Sequence, residues 1–135
     1  QIPKKFFISS RGPKNLNKIE GNPQLGDDKS VLFDSMFHIV IENCYRKNWF
    51  TEKLIDTLQT KSLPIYWGCP NIGDWFNTEG MIIVNSVEEM INVCNSITPD
   101  VYESKLKHIE ENYEISKKFC NLGERVLEKI KELVL

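Results

Sequence analysis

The fold of this chain is decided by residues 37–68, which read FHIVIENCYRKNWFTEKLIDTLQTKSLPIYWG. An apolar run, Met36–Ile41, ends at Glu42-Asn43, and a polar and aromatic loop then leads to a stretch with apolar residues at helical spacing, Phe50–Thr60. A second apolar run follows at Leu63–Trp67. Continuous apolar runs of this length are typical of parallel strands that are covered on both faces. The segment therefore predicts a strand–helix–strand unit.

The rest of the chain continues this alternation of strands and helices. Two more buried strands are predicted at Phe6–Ser9 and Met81–Val84, and Arg11–Ser30 has the composition of a long loop. A helix is expected to begin after Ser86, followed by a long helix over Pro99–Phe119 and a helical tail. The pattern predicts an α/β fold, a Rossmann-like parallel sheet with flanking helices, in which residues 1–135 form a single domain.

Composition excludes several classes of protein. The chain has 135 residues, of which 41% are hydrophobic, so a packed core is expected. A net charge of −2 and a pI near 5.7 argue against a nucleic-acid partner. No apolar run approaches the roughly 20 residues of a transmembrane helix. The cysteines lack the spacing of a metal site, so we expect no metal, reduced thiols and a cytoplasmic protein of microbial or viral type: Cys44, Cys69, Cys94 and Cys120.

The junction between the first strand of this unit and its helix concentrates hydrogen-bonding groups where parallel sheets bind ligands. The helix N-terminus and the Lys53 ammonium suit a phosphate. A carboxylate at Glu52 suits sugar hydroxyls, while Asn43 offers a donor and an acceptor, and Trp49 offers a flat apolar face. Together these groups fit a nucleotide-sugar, which carries hydroxyls, two phosphates and a base.

Each of these residues also has an ordinary structural interpretation. A glutamate in the first turn of a helix stabilises the helix dipole, and a lysine there is often a solvated charge. Asn43 is also typical of a turn, and Trp49 of rim packing. The chain contains no Walker motif and no G-x-G-x-x-G, so residue types alone leave the ligand open.

The segment Phe37–Ile72 strongly resembles the donor-binding region of the α-1,3/4-fucosyltransferases, glycosyltransferase family 10. The resemblance lies in three motifs in register: Glu42-Asn43, then Trp49-Phe50 leading into Thr51-Glu52-Lys53, and finally Leu63-Pro64-Ile65-Tyr66-Trp67-Gly68. It departs from the family at Cys44, where Ser or Thr is usual, at Trp49, where Tyr is usual, and at Arg46-Lys47, where the loop is often glycine-rich or acidic.

The resemblance implies a fold, a ligand and a set of contacts. The chain would be the C-terminal half of a B-type glycosyltransferase, which binds GDP-fucose without a metal or cofactor. Asn43 and Lys53 would contact the donor phosphates, Glu52 would hold hydroxyls, and Trp49 would stand in the aromatic position. The family also has a phosphate-binding arginine upstream, for which Arg11 in FFISSRGPKNLNK is the candidate.

The remaining machinery of such an enzyme is expected outside this chain. In the family, the general base is a carboxylate of the N-terminal half, which also binds the glycan acceptor, and we identify no catalytic residue here. Two other functions stay open at this point: a non-catalytic nucleotide-binding or assembly module, and a transferase that uses another nucleotide-sugar.

Overall fold

The computed structural model describes residues 8–9, 24–25 and 33–134. Its centre is a parallel sheet of three strands, in the order β3 (Phe37–Ile41), β4 (Leu63–Trp67) and β5 (Ile82–Ile83). The register pairs Ile39 with Ile65, and Ile65 with Ile82. The predicted α/β class, with a Rossmann-like parallel sheet and flanking helices, is confirmed.

The helices lie on both faces of this sheet. On one face, α1 (Glu52–Gln59) and α4 (Leu106–Ser116) cover Tyr66 of β4. On the other face, α2 (Val87–Ser96) covers the neighbouring residue of β4, Ile65. Successive side chains of a strand point to opposite faces, so the run of apolar residues in β4 serves two cores at once.

The first strand of the unit is less covered than its sequence predicts. Val40 is buried, but Ile39 and Ile41 are 43% and 48% exposed. β3 is one of the two edge strands of the described sheet, and α2 packs mainly on β4 and β5, which lie toward the opposite edge. The expectation that this strand is covered on both faces is therefore wrong for the described part of the chain.

The N-terminal strand also pairs differently from the expectation. Residues Ile8–Ser9 form β1, which pairs in parallel with β2 (Gln24–Leu25) in a separate sheet of two strands. β2 falls inside the segment that was predicted to be a long loop. Two residues carry too little periodicity to be recognised as a strand from sequence. The rest of Phe6–Ser9 lies outside the described residues.

The C-terminal part is helical, but the long helix is divided. The predicted helix over Pro99–Phe119 is instead α3 (Pro99–Ser104), then α4 and a single 3-10 turn at Lys117–Phe119. The break falls at Lys105, whose φ of −108° and ψ of 2° leave the helical region. The helical tail is α5 (Leu122–Val134).

A fully buried asparagine ties α4 to the segment that enters β5. The Asn112 side chain accepts a hydrogen bond from the backbone N–H of Asn77 and donates one to its carbonyl oxygen, both at 2.8 Å. Gly80 follows closely, and a Cβ there would lie 2.5 Å from the Asn112 amide nitrogen. The Asn112 side chain thus satisfies the Asn77 N–H and adds a second donor to the Asn77 carbonyl oxygen, which also accepts from the Gly80 N–H at 3.1 Å.

Asn112→Ala should therefore be strongly destabilising. It leaves the Asn77 N–H without its partner and removes one of the two donors to the Asn77 carbonyl oxygen, which also accepts from the Gly80 N–H at 3.1 Å. We expect the free energy of unfolding to fall by about 1–3 kcal/mol. Urea denaturation measures this change. The matched control is Asn92→Ala on the exposed side of α2, which should change stability by less than about 0.5 kcal/mol. Equal losses in the two variants would contradict the role of the buried amide.

Candidate functional site

The junction between β3 and α1 is organised by a buried carboxylate, that of Glu42. Its backbone N–H extends the strand pairing by donating to the carbonyl of Trp67 at 2.9 Å. Its side chain turns to the start of α1, where Thr51 donates its N–H to Oε1 at 2.9 Å and its hydroxyl to Oε2 at 2.8 Å. Glu42 therefore joins the end of the strand to the beginning of the helix and fixes both ends of the intervening loop.

Burial of this charge depends on close packing from β4. Glu42 is only 7% exposed, and both of its carboxylate oxygens accept hydrogen bonds at the positive end of α1. A Cβ at Gly68 would lie 2.5 Å from the Glu42 Cγ and 2.6 Å from the Tyr66 hydroxyl oxygen. Only glycine leaves room here for the carboxylate and the phenol together.

The Tyr66 side chain lies next to this carboxylate, on the other side of the space left by Gly68. It is fully buried, and its hydroxyl oxygen accepts a hydrogen bond from the backbone N–H of Cys69 at 2.9 Å. Burial, and to a smaller extent the negative charge of Glu42, raise the pKa of the Tyr66 phenol well above its ordinary value of 10.0. The phenol therefore stays protonated in the folded protein at pH values that ionise an exposed tyrosine.

Because the pKa of Tyr66 is raised, the free energy of unfolding depends on pH in the alkaline range. Below about pH 10 the phenol is protonated in both states, but above it the phenol ionises only in the unfolded chain, so the unfolding free energy falls. We expect the wild-type slope above about pH 10 to be steeper than that of Tyr66→Phe, by up to about 1.4 kcal/mol per pH unit. Urea titrations at several pH values measure both slopes. Parallel curves would show that Tyr66 ionises equally in both states.

Lys53 is held by the same network. The Thr51 hydroxyl oxygen, which donates to Glu42, also accepts from the Lys53 backbone N–H and from its ammonium, each at 3.4 Å. The ammonium lies 3.7 Å from a carboxylate oxygen of Glu52. The Lys53 side chain is 37% exposed, so it is partly open to solvent. The Lys53 ammonium thus contacts the Thr51 hydroxyl, which in turn contacts the buried carboxylate of Glu42.

This arrangement changes what the start of α1 can do. The sequence suggested that the N-terminus of the helix and Lys53 would hold a phosphate together. In the structure, Glu42 already accepts the Thr51 N–H, and the Thr51 side chain caps the Lys53 N–H. The positive end of the helix thus stabilises an internal carboxylate, and Lys53 is the group of the pair that keeps an exposed positive charge.

Replacing Thr51 tests this network. Thr51→Val keeps the shape but removes the hydroxyl that links Lys53 to Glu42, so the unfolding free energy should fall by about 1–2 kcal/mol. Thr51→Ser keeps the hydroxyl and should cost less than about 0.5 kcal/mol. Urea denaturation of both variants measures these two losses of unfolding free energy. If serine is as damaging as valine, the methyl group and not the hydroxyl carries the interaction.

Asn43 and Trp49 lie on the loop between β3 and α1, and both side chains are exposed. The loop is anchored by Asn48, which adopts a left-handed φ of 59° and exchanges two hydrogen bonds with Asn71, at 2.7 and 2.8 Å. The indole N–H of Trp75 also donates to the Asn48 side chain, at 3.3 Å. The loops that follow β3 and β4 are therefore joined at the carboxyl end of the sheet.

The predicted site residues thus divide into two groups. Glu52 and Lys53 are in contact, while Asn43 and Trp49 are placed by the loop at the same end of the sheet. Arg11 lies outside the described residues. The donor-binding roles of all five remain predictions. Sequence analysis missed the anchoring function of Glu42, although a charged residue at the end of an apolar run was a signal for it.

A cleft of about 420 Å³ lies along α1. Its first wall is one side of this helix, with Glu52 and the half-buried Ile55, Asp56 and Gln59. Its second wall is the segment 119–125, with Phe119, Cys120 and Arg125. Phe50 and Thr51 close the end near the sheet. Glu52 lines this cleft, whereas the other predicted site residues that the structure describes do not: Asn43, Trp49 and Lys53.

Three further features of the described residues concern metal ions, cysteines and membranes. Within residues 8–9, 24–25 and 33–134, no group of three His, Cys, Asp or Glu side chains is arranged to hold a metal ion. The four cysteines, all in this part of the chain, are free. Among the described helices, none is long and apolar enough to cross a membrane.

No protein-family model matches the chain, but sequence comparison with curated proteins does find relatives. A segment of 76 residues, 54% of this chain, is 32% identical to GDP-fucose protein O-fucosyltransferase 3 of Xenopus laevis. A segment of 49 residues, 36% of this chain, is 35% identical to the alpha-(1,3)-fucosyltransferase FucT of Helicobacter pylori. The chain is similar to fucosyltransferases.

These matches cover only part of each relative. The chain spans 16% of the Xenopus laevis protein and 10% of the Helicobacter pylori protein. The Xenopus tropicalis GDP-fucose protein O-fucosyltransferase 3 is 30% identical over 71 residues, which are 15% of its length. The similarity supports the resemblance of this chain to fucosyltransferases, while membership of glycosyltransferase family 10 remains a prediction.

Proposed function

We propose that this chain is the donor-binding part of a fucosyltransferase of the family 10 type, the C-terminal half of a B-type glycosyltransferase, and that it binds GDP-fucose. The observation that carries the proposal is the tethered cation at the carboxyl end of the sheet. Lys53 is linked through Thr51 to the buried carboxylate of Glu42, and its side chain is partly exposed. The similarity to fucosyltransferases supports the same assignment.

A tethered ammonium suits the diphosphate of a nucleotide-sugar. As the bond between the sugar and the diphosphate breaks, negative charge accumulates on the leaving phosphate. A cation that is already in place stabilises this charge without reorganising during the reaction. In the proposed complex Lys53 contacts the phosphates, and Thr51 and Glu42 act as positioning residues for it.

The neighbouring groups supply the remaining contacts of the donor. Glu52 takes hydroxyl groups, because a carboxylate accepts hydrogen bonds from them and repels phosphate. Asn43 contacts a phosphate oxygen through its amide, and Trp49 gives a flat face to the ligand. Arg11 is the candidate for a second cation at the phosphates.

The proposed reaction is an inverting displacement. An acceptor hydroxyl attacks the anomeric carbon of fucose, the bond to the diphosphate breaks, and GDP leaves with the bonding electrons. A carboxylate of an N-terminal acceptor-binding half takes the hydroxyl proton. The contribution of this chain is to bind the donor and stabilise the leaving group, without a metal ion.

Lys53→Ala tests the phosphate contact directly. A charge-assisted hydrogen bond contributes about 1.5–3 kcal/mol, so the affinity for GDP should fall roughly 10- to 100-fold. Isothermal titration calorimetry of the chain with GDP measures the loss. UDP titrated in parallel tests whether another nucleotide-sugar is the donor.

The matched control is Lys47→Ala in the exposed loop, which removes the same charge from a residue without this tether. It should weaken GDP binding much less, because solvent and salt screen an exposed charge. Equal GDP affinity in the wild type and in Lys53→Ala would remove the phosphate role and, with it, the proposed donor site.

A further inference from the structure

The last described helix, α5, is exposed along its length. Residues 123–134 are all exposed, and about half or more of each large apolar side chain among them is open to solvent: Val126 48%, Leu127 52%, Ile130 51%, Leu133 78% and Val134 76%. Isolated helices of about 12–15 residues are only marginally stable in water, because most helical stability in proteins comes from packing of an apolar side. α5 has 13 residues, so its apolar side calls for a surface to pack against.

These five side chains form one stripe, which we call the α5 stripe. At about 100° per residue they lie within roughly 120° of the helix circumference, with Ile130 near the middle. Arg125 lies about 140° around the helix from Ile130. Its guanidinium carbon is 4.5 Å from the centroid of the Phe119 ring, so a polar side of α5 contacts the body of the chain. The stripe therefore points away from the described body, and its partner comes from elsewhere.

The charges of α5 favour a protein partner over a membrane. Helices that lie on a membrane surface are usually rich in Lys and Arg on their polar side. In α5 the charges are balanced, with three acidic and three basic side chains: Glu124, Glu128, Glu132, Arg125, Lys129 and Lys131. A helix without net charge gains little from anionic lipid.

The charge pattern of α5 is complementary to itself when two copies run antiparallel. Glu124 and Lys131 are seven residues apart, which is nearly two turns, so both lie on the edge of the stripe next to Leu127. In an antiparallel pair related by a two-fold axis, the same edge of each helix meets. With the axis between positions 127 and 128, Glu124 of each copy comes opposite Lys131 of the other.

The apolar side chains match in nearly the same register. Val126 of one copy comes opposite Ile130 of the other, and Leu133 comes opposite Gly123. The atom nearest to a Cβ at Gly123 would be Asn121 Oδ1, at 3.5 Å, so packing within the described chain does not require a glycine here. In the pair, this glycine leaves room for the leucine of the other copy.

A parallel pair lacks this complementarity. It would place the edge with Lys131 against the opposite edge of the other helix, which carries Lys129 and Arg125, so that like charges would meet. The helix dipoles would also be aligned side by side in a parallel pair, whereas they attract each other in an antiparallel one. Both effects favour the antiparallel arrangement.

We propose that α5 binds α5 of a second copy of this chain, in an antiparallel pair that buries the α5 stripe. Burial of the apolar side chains holds the two copies together. The two reciprocal pairs of Glu124 with Lys131 select the antiparallel orientation, because charge complementarity at an interface chiefly fixes register and partner.

Sedimentation equilibrium tests the apolar contact. At low salt, the mass of the 135-residue chain should rise with concentration from 15.7 kDa to twice that value. Ile130→Glu places a charge in the middle of the stripe in both copies and should weaken dimerisation at least about 10-fold. The variant should keep the wild-type urea transition at concentrations where both chains are monomeric, because Ile130 is 51% exposed in the single chain.

Charge reversal tests the antiparallel pairing. Glu124→Lys alone and Lys131→Glu alone should each weaken dimerisation about 3- to 10-fold, because each places like charges opposite each other at both ends of the pair. The double variant exchanges the two charges and should return to within about threefold of the wild type. The matched control is Glu128→Lys, about 160° around the helix from Ile130, which should dimerise like the wild type.

Three results would overturn the proposal. The first is a wild-type chain that stays at 15.7 kDa up to about 1 mM. The second is a dimer that Ile130→Glu leaves intact, because another surface then joins the copies. The third is a loss in the single charge variants that the double variant does not restore, because the helices then do not run antiparallel.

Vesicles of phosphatidylcholine and phosphatidylserine test the membrane as the other occupant. The wild-type chain should stay in the supernatant when these vesicles are sedimented. Binding of the monomer to them through the α5 stripe, with Ile130→Glu abolishing it and no dimer in their absence, would assign the stripe to lipid and overturn the pairing of two copies.

Discussion

The structure depends on the constraint that the carboxylate of Glu42 is buried between a strand and a helix. A buried charge must be hydrogen-bonded, and here both oxygens take their donors from Thr51 at the positive end of α1. This requirement fixes the distance between β3 and α1, and it requires glycine at position 68, where any side chain would collide with the carboxylate. Strand, helix and the neighbouring strand are thus positioned by a single side chain.

The same constraint determines the chemistry that remains available at this end of the sheet. In many α/β proteins the N-terminus of the first helix binds the anion of a ligand. Here that position is occupied by a carboxylate of the chain itself, so the diphosphate of the proposed donor complex would depend on side-chain cations. The network compensates by holding the Lys53 ammonium against the hydroxyl of Thr51. The buried carboxylate of Glu42 therefore orients the Lys53 ammonium through the Thr51 hydroxyl.

The cleft and the loops extend this arrangement in two directions. The exchange of hydrogen bonds between Asn48 and Asn71 joins the loops that follow β3 and β4, so Trp49 is presented from an anchored turn. The contact from Gln59 to the segment before α5 forms the cleft beside Glu52. Both features bring together residues that are far apart in the chain, and both adjoin the start of α1.

The sequence by itself determined the α/β class, β4 to the residue, and the α1 region, because hydrophobic periodicity and helix caps are local properties of the chain. It also indicated Glu52 and Lys53 as neighbours at the helix start. Only the tertiary structure decided that Ile39 and Ile41 stay partly exposed, that the helix after Pro99 breaks at Lys105, and that Asp56 shares a cleft with Arg125. These outcomes depend on which elements pack together, and packing between distant segments leaves no periodic signal in the sequence.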